Sequence, residues 1–166
     1  MPSRIASACA VVAAAILTAA CGSAGSATTS SPAASPSPVA SASPSAATGA
    51  VIKLGMTRVG DVLVDSSGRT IYLFVADKGT TSVCYGSCAQ VWPPVLTTGT
   101  PQAGAGVSAS LLGTTSRTDG KTEVTYAGHP LYYFISDKKP GDLTGQGVNG
   151  FGGPWYVVAA SGAAVK

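Results

Sequence analysis

The chain has 166 residues, 45% of them hydrophobic and only 10% charged, with a formal net charge of +3. Its few cations are scattered, which excludes a nucleic-acid partner, since that requires a clustered basic face. A single histidine, His129, argues against most hydrolases and against metal centres built from several imidazoles.

Arg4 opens the chain with a positive charge, and Ile5 to Ala20 is an apolar run too short for a comfortable membrane span. Residues 1–20 read as a signal peptide. The run ends Leu17-Thr18-Ala19-Ala20-Cys21-Gly22, small residues set directly before a cysteine. This resembles a bacterial lipobox, which implies cleavage before Cys21 and acylation of its thiol by palmitate-type chains. An ordinary secretory signal with an incidental Cys21 is the alternative. Acyl chains at about 0.8 kcal/mol per buried CH2 would hold such a protein on a membrane.

Residues 21–49 hold the lipidated cysteine and then a stretch almost wholly of Ser, Ala, Thr, Gly and Pro, with Pro32, Pro36, Pro38 and Pro44 and no charge or aromatic ring. Such a composition buries too little apolar surface to offset ordering, so it reads as a tether. Its reach is roughly 29 Å as a flexible coil and at most about 87 Å as polyproline II.

Residues 50–166 read as one all-β domain, a compact antiparallel sandwich or barrel-like unit with at most short helical turns. Val51 to Leu54 is a first strand. Val62 to Asp65 and Thr70 to Ala76 are expected to pair across Ser66-Ser67-Gly68-Arg69. In the second of these, Tyr72 and Phe74 take one face and Ile71, Leu73 and Val75 the other, so both faces are expected to be covered. A helical turn is expected over Cys88 to Val91, stopped by Pro93 and Pro94. Leu111 to Thr118 and Thr122 to Ala127 pair across Asp119-Gly120. After a turn at Gly128-His129-Pro130 comes a strand from Leu131 to Ser136, then a glycine-rich loop from Gly141 to Gly153, and a last strand from Trp155 to Ala159.

One stretch occurs twice. Tyr72-Leu73-Phe74-Val75-Ala76-Asp77 and Tyr132-Tyr133-Phe134-Ile135-Ser136-Asp137 both read Tyr-x-Phe-x-x-Asp and both run into a lysine. The match extends outward: Gly68 aligns with Gly128, Trp92 with Trp155, Val95 with Val158. The first copy covers about 58–99 and the second about 118–162. Two copies are too few for a solenoid, so two similar β-units about a pseudo-twofold axis, sharing one core, are expected. With these motifs, the chain resembles the bacterial lipoproteins that carry a Tyr-x-aromatic-x-x-Asp motif, a tandem secreted repeat of unknown function. The Cys84 to Ala89 run followed by Trp92-Pro93-Pro94 is similar to the family's first repeat. The resemblance implies an envelope lipoprotein and no particular activity. The second copy lacks both cysteines.

Asp77 and Asp137 invite a paired-carboxylate reading, but a carboxylate closing a strand more simply accepts hydrogen bonds from turn backbone. Tyr72, Tyr132, Phe74, Phe134, Trp92 and Trp155 read first as core, the phenol oxygens finding partners at the rim. A flat binding or electron-conducting surface is the other reading. Cys84 and Cys88 are expected to be bridged if the chain is exported. The alternative is a copper or zinc site from Cys84, Cys88, His129 and one further ligand. Gly145 to Gly150 lacks the strand, helix and lysine of a phosphate loop. The expectation is therefore a lipid-anchored protein on the extracytoplasmic face of the cell membrane. It is monomeric and non-enzymatic, with no cofactor and no catalytic residue. Its partners are the membrane and an envelope protein or small ligand, and its β domain serves binding or structure. A redox or metal-binding lipoprotein is the alternative.

Overall fold

A computed structural model describes residues 49–166. The signal segment, Cys21 and the tether up to residue 48 lie outside the described residues.

The described chain is nearly all β. Strand β1 (Val51–Thr57) turns at Arg58-Val59 into β2 (Gly60–Asp65), pairing from Ile52 opposite Asp65 to Thr57 opposite Gly60. Gly60 sits at φ 101°, a conformation that side chains rarely adopt. Thr57 closes the turn by donating its hydroxyl to the Gly60 carbonyl, 2.7 Å away. The expected pairing across residues 66–69 survives as one rung, Val64 with Thr70. There the Asp65 carboxylate accepts the Ser67 and Arg69 N–H groups, tightening the bend. The chain then leaves β2, and β3 (Tyr72–Phe74) pairs with β9 (Gly153–Val157), itself paired with the short β8 (Asn149–Gly150).

Helix α1 (Ser87–Val91) is the expected helical turn. Strand β4 (Gln102–Ala103) runs parallel to β1, and a 3-10 turn at Ala109–Leu111 leads into β5 (Leu112–Ser116). The hairpin across Asp119-Gly120 forms between β5 and β6 (Thr122–Tyr126), and β6 also pairs with β7 (His129–Pro130). Each of the three sheets has three strands, and no barrel closes.

Two expected strands are shorter than their sequences imply. The stretch from Leu131 to Ser136 is not a strand; only Tyr132 bridges, to Tyr72 and Pro94. The reason lies in the motif. Asp137 N–H donates to the Phe134 carbonyl and Asp77 N–H to the Phe74 carbonyl, both at 3.2 Å, so each Phe-x-x-Asp is a turn that stops its strand. His129 correspondingly starts a strand rather than sitting within a turn, and β9 begins two residues before Trp155 and ends at Val157.

The two copies are interleaved. Val95 of the first copy receives the Val124 N–H of the second at 2.8 Å, while Val158 of the second receives the Leu63 N–H of the first, also at 2.8 Å. Each tryptophan-bearing segment thus completes the other copy's hairpin. Two apolar clusters result, and both draw on both copies. Tyr72 and Phe74 enter one, with Trp92, Tyr132 and Trp155; Ile71 and Leu73 enter the other, with Val95, Val124 and Leu131. Strand β3 is covered on both faces, as its alternation implies, but Val75, expected on a covered face, lies past its end and is 50% exposed. Neither copy owns a core of its own.

Candidate functional site

The motif residues meet at the centre of this exchange. Tyr72 N–H donates to the Tyr132 carbonyl at 2.8 Å and Tyr132 N–H donates to the Tyr72 carbonyl at 2.9 Å. Reciprocal contact between equivalent residues is the mark of a twofold relation. The side chains repeat it. The Tyr72 hydroxyl donates to Asp137 Oδ2 at 2.6 Å, and the Tyr132 hydroxyl to Asp77 Oδ2 at 2.7 Å. Each copy's tyrosine therefore holds the other copy's aspartate. The remaining oxygens accept backbone N–H groups of the following loops, Val83 on Asp77 at 2.8 Å and Thr144 on Asp137 at 2.9 Å. The turn-backbone role expected of the carboxylates is thus half of what they do. Asp77 and Asp137 share no hydrogen-bond partner among the described residues.

The rings follow the same symmetry. Trp92 and Trp155 lie face to face, centroids 4.0 Å apart and planes 4° from parallel. Phe74 stacks outside Trp155 at 3.9 Å, and Phe134 outside Trp92 at 4.3 Å. Tyr72 meets Trp92 edge-on at 5.4 Å, as Tyr132 meets Trp155 at 5.1 Å. The aromatic motif residues are thus packed as core, and their phenol oxygens find partners inside the interface rather than at a rim. Gly145 closes over this column. A methyl there would come within 2.8 Å of the Trp92 ring, and its N–H donates to the Tyr72 oxygen at 3.3 Å. The discarded glycine loop is therefore a packing element.

Burial drives the titration of these groups. It pushes the Tyr72 phenol far above its ordinary range, and the bond to Asp137 adds to the shift. Tyr132 is raised likewise by burial and then by the charge of Glu123. Asp77 is raised by burial, against the Val83 and Tyr132 bonds that favour its charged form.

One half carries a polar chain that the other lacks. Arg117 and Glu123 form a buried ion pair at 2.7 Å, their side chains 1% and 0% exposed. Arg117 also donates to Ser82 Oγ at 2.9 Å and to the Cys84 carbonyl at 2.7 Å, and the Ser82 hydroxyl in turn donates to the Tyr132 oxygen at 2.7 Å. Glu123, Arg117, Ser82, Tyr132 and Asp77 are thereby linked. Glu123 Oε1 has no hydrogen-bond partner among the described residues. Burial pushes the Glu123 carboxyl up to about 7 despite Arg117. Burial also pulls the Arg117 guanidinium down, but its bond to Glu123 outweighs that and leaves it raised. Sequence reasoning missed Arg117, Glu123 and Ser82. The one available signal was a charge at each end of the Asp119-Gly120 hairpin, and that pattern normally marks a solvated face.

Cys84 and Cys88 are joined in a disulfide beside this chain. That corrects the thiolate metal site expected as the alternative, because bridged sulfurs offer no thiolate to copper or zinc. His129 is half-buried and paired to Tyr126. Among the described residues no group of three histidine, cysteine, aspartate or glutamate side chains is placed to hold a metal. Two open grooves of about 460 and 560 Å³ share Thr98 and Thr122 and are lined by no motif residue.

The sequence model of one family, described as a secreted repeat of unknown function, matches the chain twice, over residues 53–96 and 113–159. No curated protein and no solved structure matches it. No helix among the described residues is long and apolar enough to cross a membrane.

Proposed function

Because the chain belongs to this family of secreted repeats of unknown function, we propose that it is a lipid-anchored protein of the cell envelope whose β domain serves binding or structure rather than catalysis. Cys21 is the acylated residue, the membrane is its first partner, and residues 22–49 carry the domain off the lipid surface on the extracytoplasmic side. An envelope protein or a small ligand is the second partner, met by a monomer.

One observation carries the non-catalytic part of this reading. The groups that could do acid–base chemistry, Tyr72, Tyr132, Asp77 and Asp137, hold one another across the copies. A general base needs its oxygen within reach of a substrate proton; here the Oδ2 atoms already hold phenol protons. The Cys84–Cys88 bridge supports an oxidising compartment.

The test is metabolic labelling with an alkyne fatty acid. The wild-type chain should take up label and sediment with membranes, and Cys21→Ala should lose both properties. Label retained by Cys21→Ala, or a wild-type chain without label, overturns the anchor. Turnover lost in Asp77→Asn or Asp137→Asn with the fold intact overturns the non-catalytic reading.

A further inference from the structure

The two indoles are stacked face to face at the centre of the interface. Neutral aromatic rings favour offset or edge-to-face contact over a close sandwich. Trp92 and Trp155 are nearly parallel with centroids 4.0 Å apart, so their π systems overlap closely. Two indoles overlapping in this way are well placed to share a positive hole. Both rings are buried, at 1% and 0% exposure. The Trp155 indole N–H donates to the Gly150 carbonyl at 3.1 Å, a partner too weakly basic to take its proton. Each indole also has a tyrosine at its edge, and each tyrosine already donates its O–H to a carboxylate.

We propose that Trp92 and Trp155 act as a paired one-electron donor, with Tyr72 and Tyr132 as proton-coupled second donors, by which the domain reduces a one-electron oxidant. In the first step the oxidant takes one electron from the stacked indoles, leaving a radical cation shared between them. In the second, Tyr72 or Tyr132 gives one electron to that cation and its phenol proton to Asp137 or Asp77. The products are a neutral indole pair, a phenoxyl radical and a carboxylic acid, so charge and protons balance within the interface. Burial raises the proton affinity of Asp77, which favours the transfer from Tyr132. Half-buried Phe134 ends the column on the Trp92 side, so the stack comes close to the surface there.

Pulse radiolysis of the full chain in detergent micelles tests this, with azide radical as the one-electron oxidant. The wild-type protein should show a broad near-infrared charge-resonance band. That band should be absent from Trp92→Phe and from Trp155→Phe, which retain a stacked ring without the second indole. Phenoxyl absorption should then rise as the indole signal decays. The double variant Asp77→Asn, Asp137→Asn should slow that rise roughly tenfold or more, the rate equivalent of one charge-assisted hydrogen bond. A wild-type protein without the band overturns the paired donor, whether or not the phenylalanine variants fold. An unchanged phenoxyl rise in the folded asparagine variant overturns the role of the carboxylates, and so does the absence of a solvent isotope effect on the wild-type rise.

Discussion

If the crossed tyrosine–aspartate bonds hold the two copies together, deleting one phenol oxygen should be costly, and the cost should depend on which of the pair is deleted. Tyr72→Phe removes the 2.6 Å donor from Asp137 Oδ2. Asp137 is only 5% exposed, so water cannot readily replace that donor. A hydrogen bond to a charged group contributes about 1.5–3 kcal/mol, and an unpaired buried acceptor lies at the upper end of that range. For a domain of this size that loss lowers Tm by roughly 10 °C. Tyr132→Phe removes the 2.7 Å donor from Asp77, which is partly exposed and can recruit water, so the Asp77 part of its loss should be smaller, about 1–2 kcal/mol, with the broken Ser82 bond adding to it. Guanidinium denaturation followed by tryptophan fluorescence reads both. The cycle Tyr72→Phe with Asp137→Asn isolates the pair and should return a coupling above about 1 kcal/mol. A coupling below about 0.5 kcal/mol, within the additivity of independent sites, would refute the claim that the crossed bonds clamp the copies. A Tyr132–Asp77 coupling larger than the Tyr72–Asp137 coupling would refute the burial argument.

Three further outcomes are expected. Reducing the Cys84–Cys88 bridge, or replacing both residues by alanine, should cost about 2 kcal/mol, since the bridge closes a short loop; intact mass two protons below the reduced value checks the oxidised state first. Glu123 is pushed up to about 7 from an ordinary value of 4.5, so the folded chain binds more protons than the unfolded chain between those values, and stability should fall as pH rises through that window. Urea midpoints against pH should show this slope in the wild type and lose much of it in Glu123→Gln, with a residue left by Asp77, whose shift has the same sign; an unaltered slope in Glu123→Gln would show that Glu123 is not its source. At alkaline pH, where Glu123 is ionised, Arg117→Met leaves its buried charge uncompensated and should cost about 3–5 kcal/mol, most of it recovered when Glu123→Leu is added, which calorimetry of the single and double variants checks.

What could be read from the residues was whatever local chemistry decides. The Asp119-Gly120 turn, the helical turn before Pro93, the two-faced burial of β3 and the repeat itself each follow from side chains a few positions apart. The β1–β2 hairpin was missed because Arg58-Val59 carries no turn signature, and only Gly60 at positive φ marks it. The crossed bonds were invisible for a different reason. Tyr72 and Asp137 are 65 positions apart, and nothing in Tyr-x-Phe-x-x-Asp states that its first residue will bond the last residue of the other copy. A single copy would leave its tyrosine and its aspartate buried without partners; two copies satisfy all four groups at once. The motif thus satisfies its own groups by occurring twice, which fits the retention of its Tyr, Phe and Asp in both copies while the surroundings diverge. The divergence is itself ordered. The pairing of Val124 with Val95 and of Leu63 with Val158 sets Glu123 at the position that Val62 holds in the first copy. Both side chains are wholly buried, one a carboxylate and one aliphatic. The bonds of Val83 and Thr144 to the two aspartates likewise set Cys84 opposite Gly145. The disulfide and the buried ion pair thus lie together on one side of a symmetric frame, joined through the Arg117 bond to the Cys84 carbonyl. The frame needs neither, because the other side closes with valine and glycine. Whatever distinguishes this chain from a bare structural repeat is concentrated in that half, around Tyr132 and Asp77.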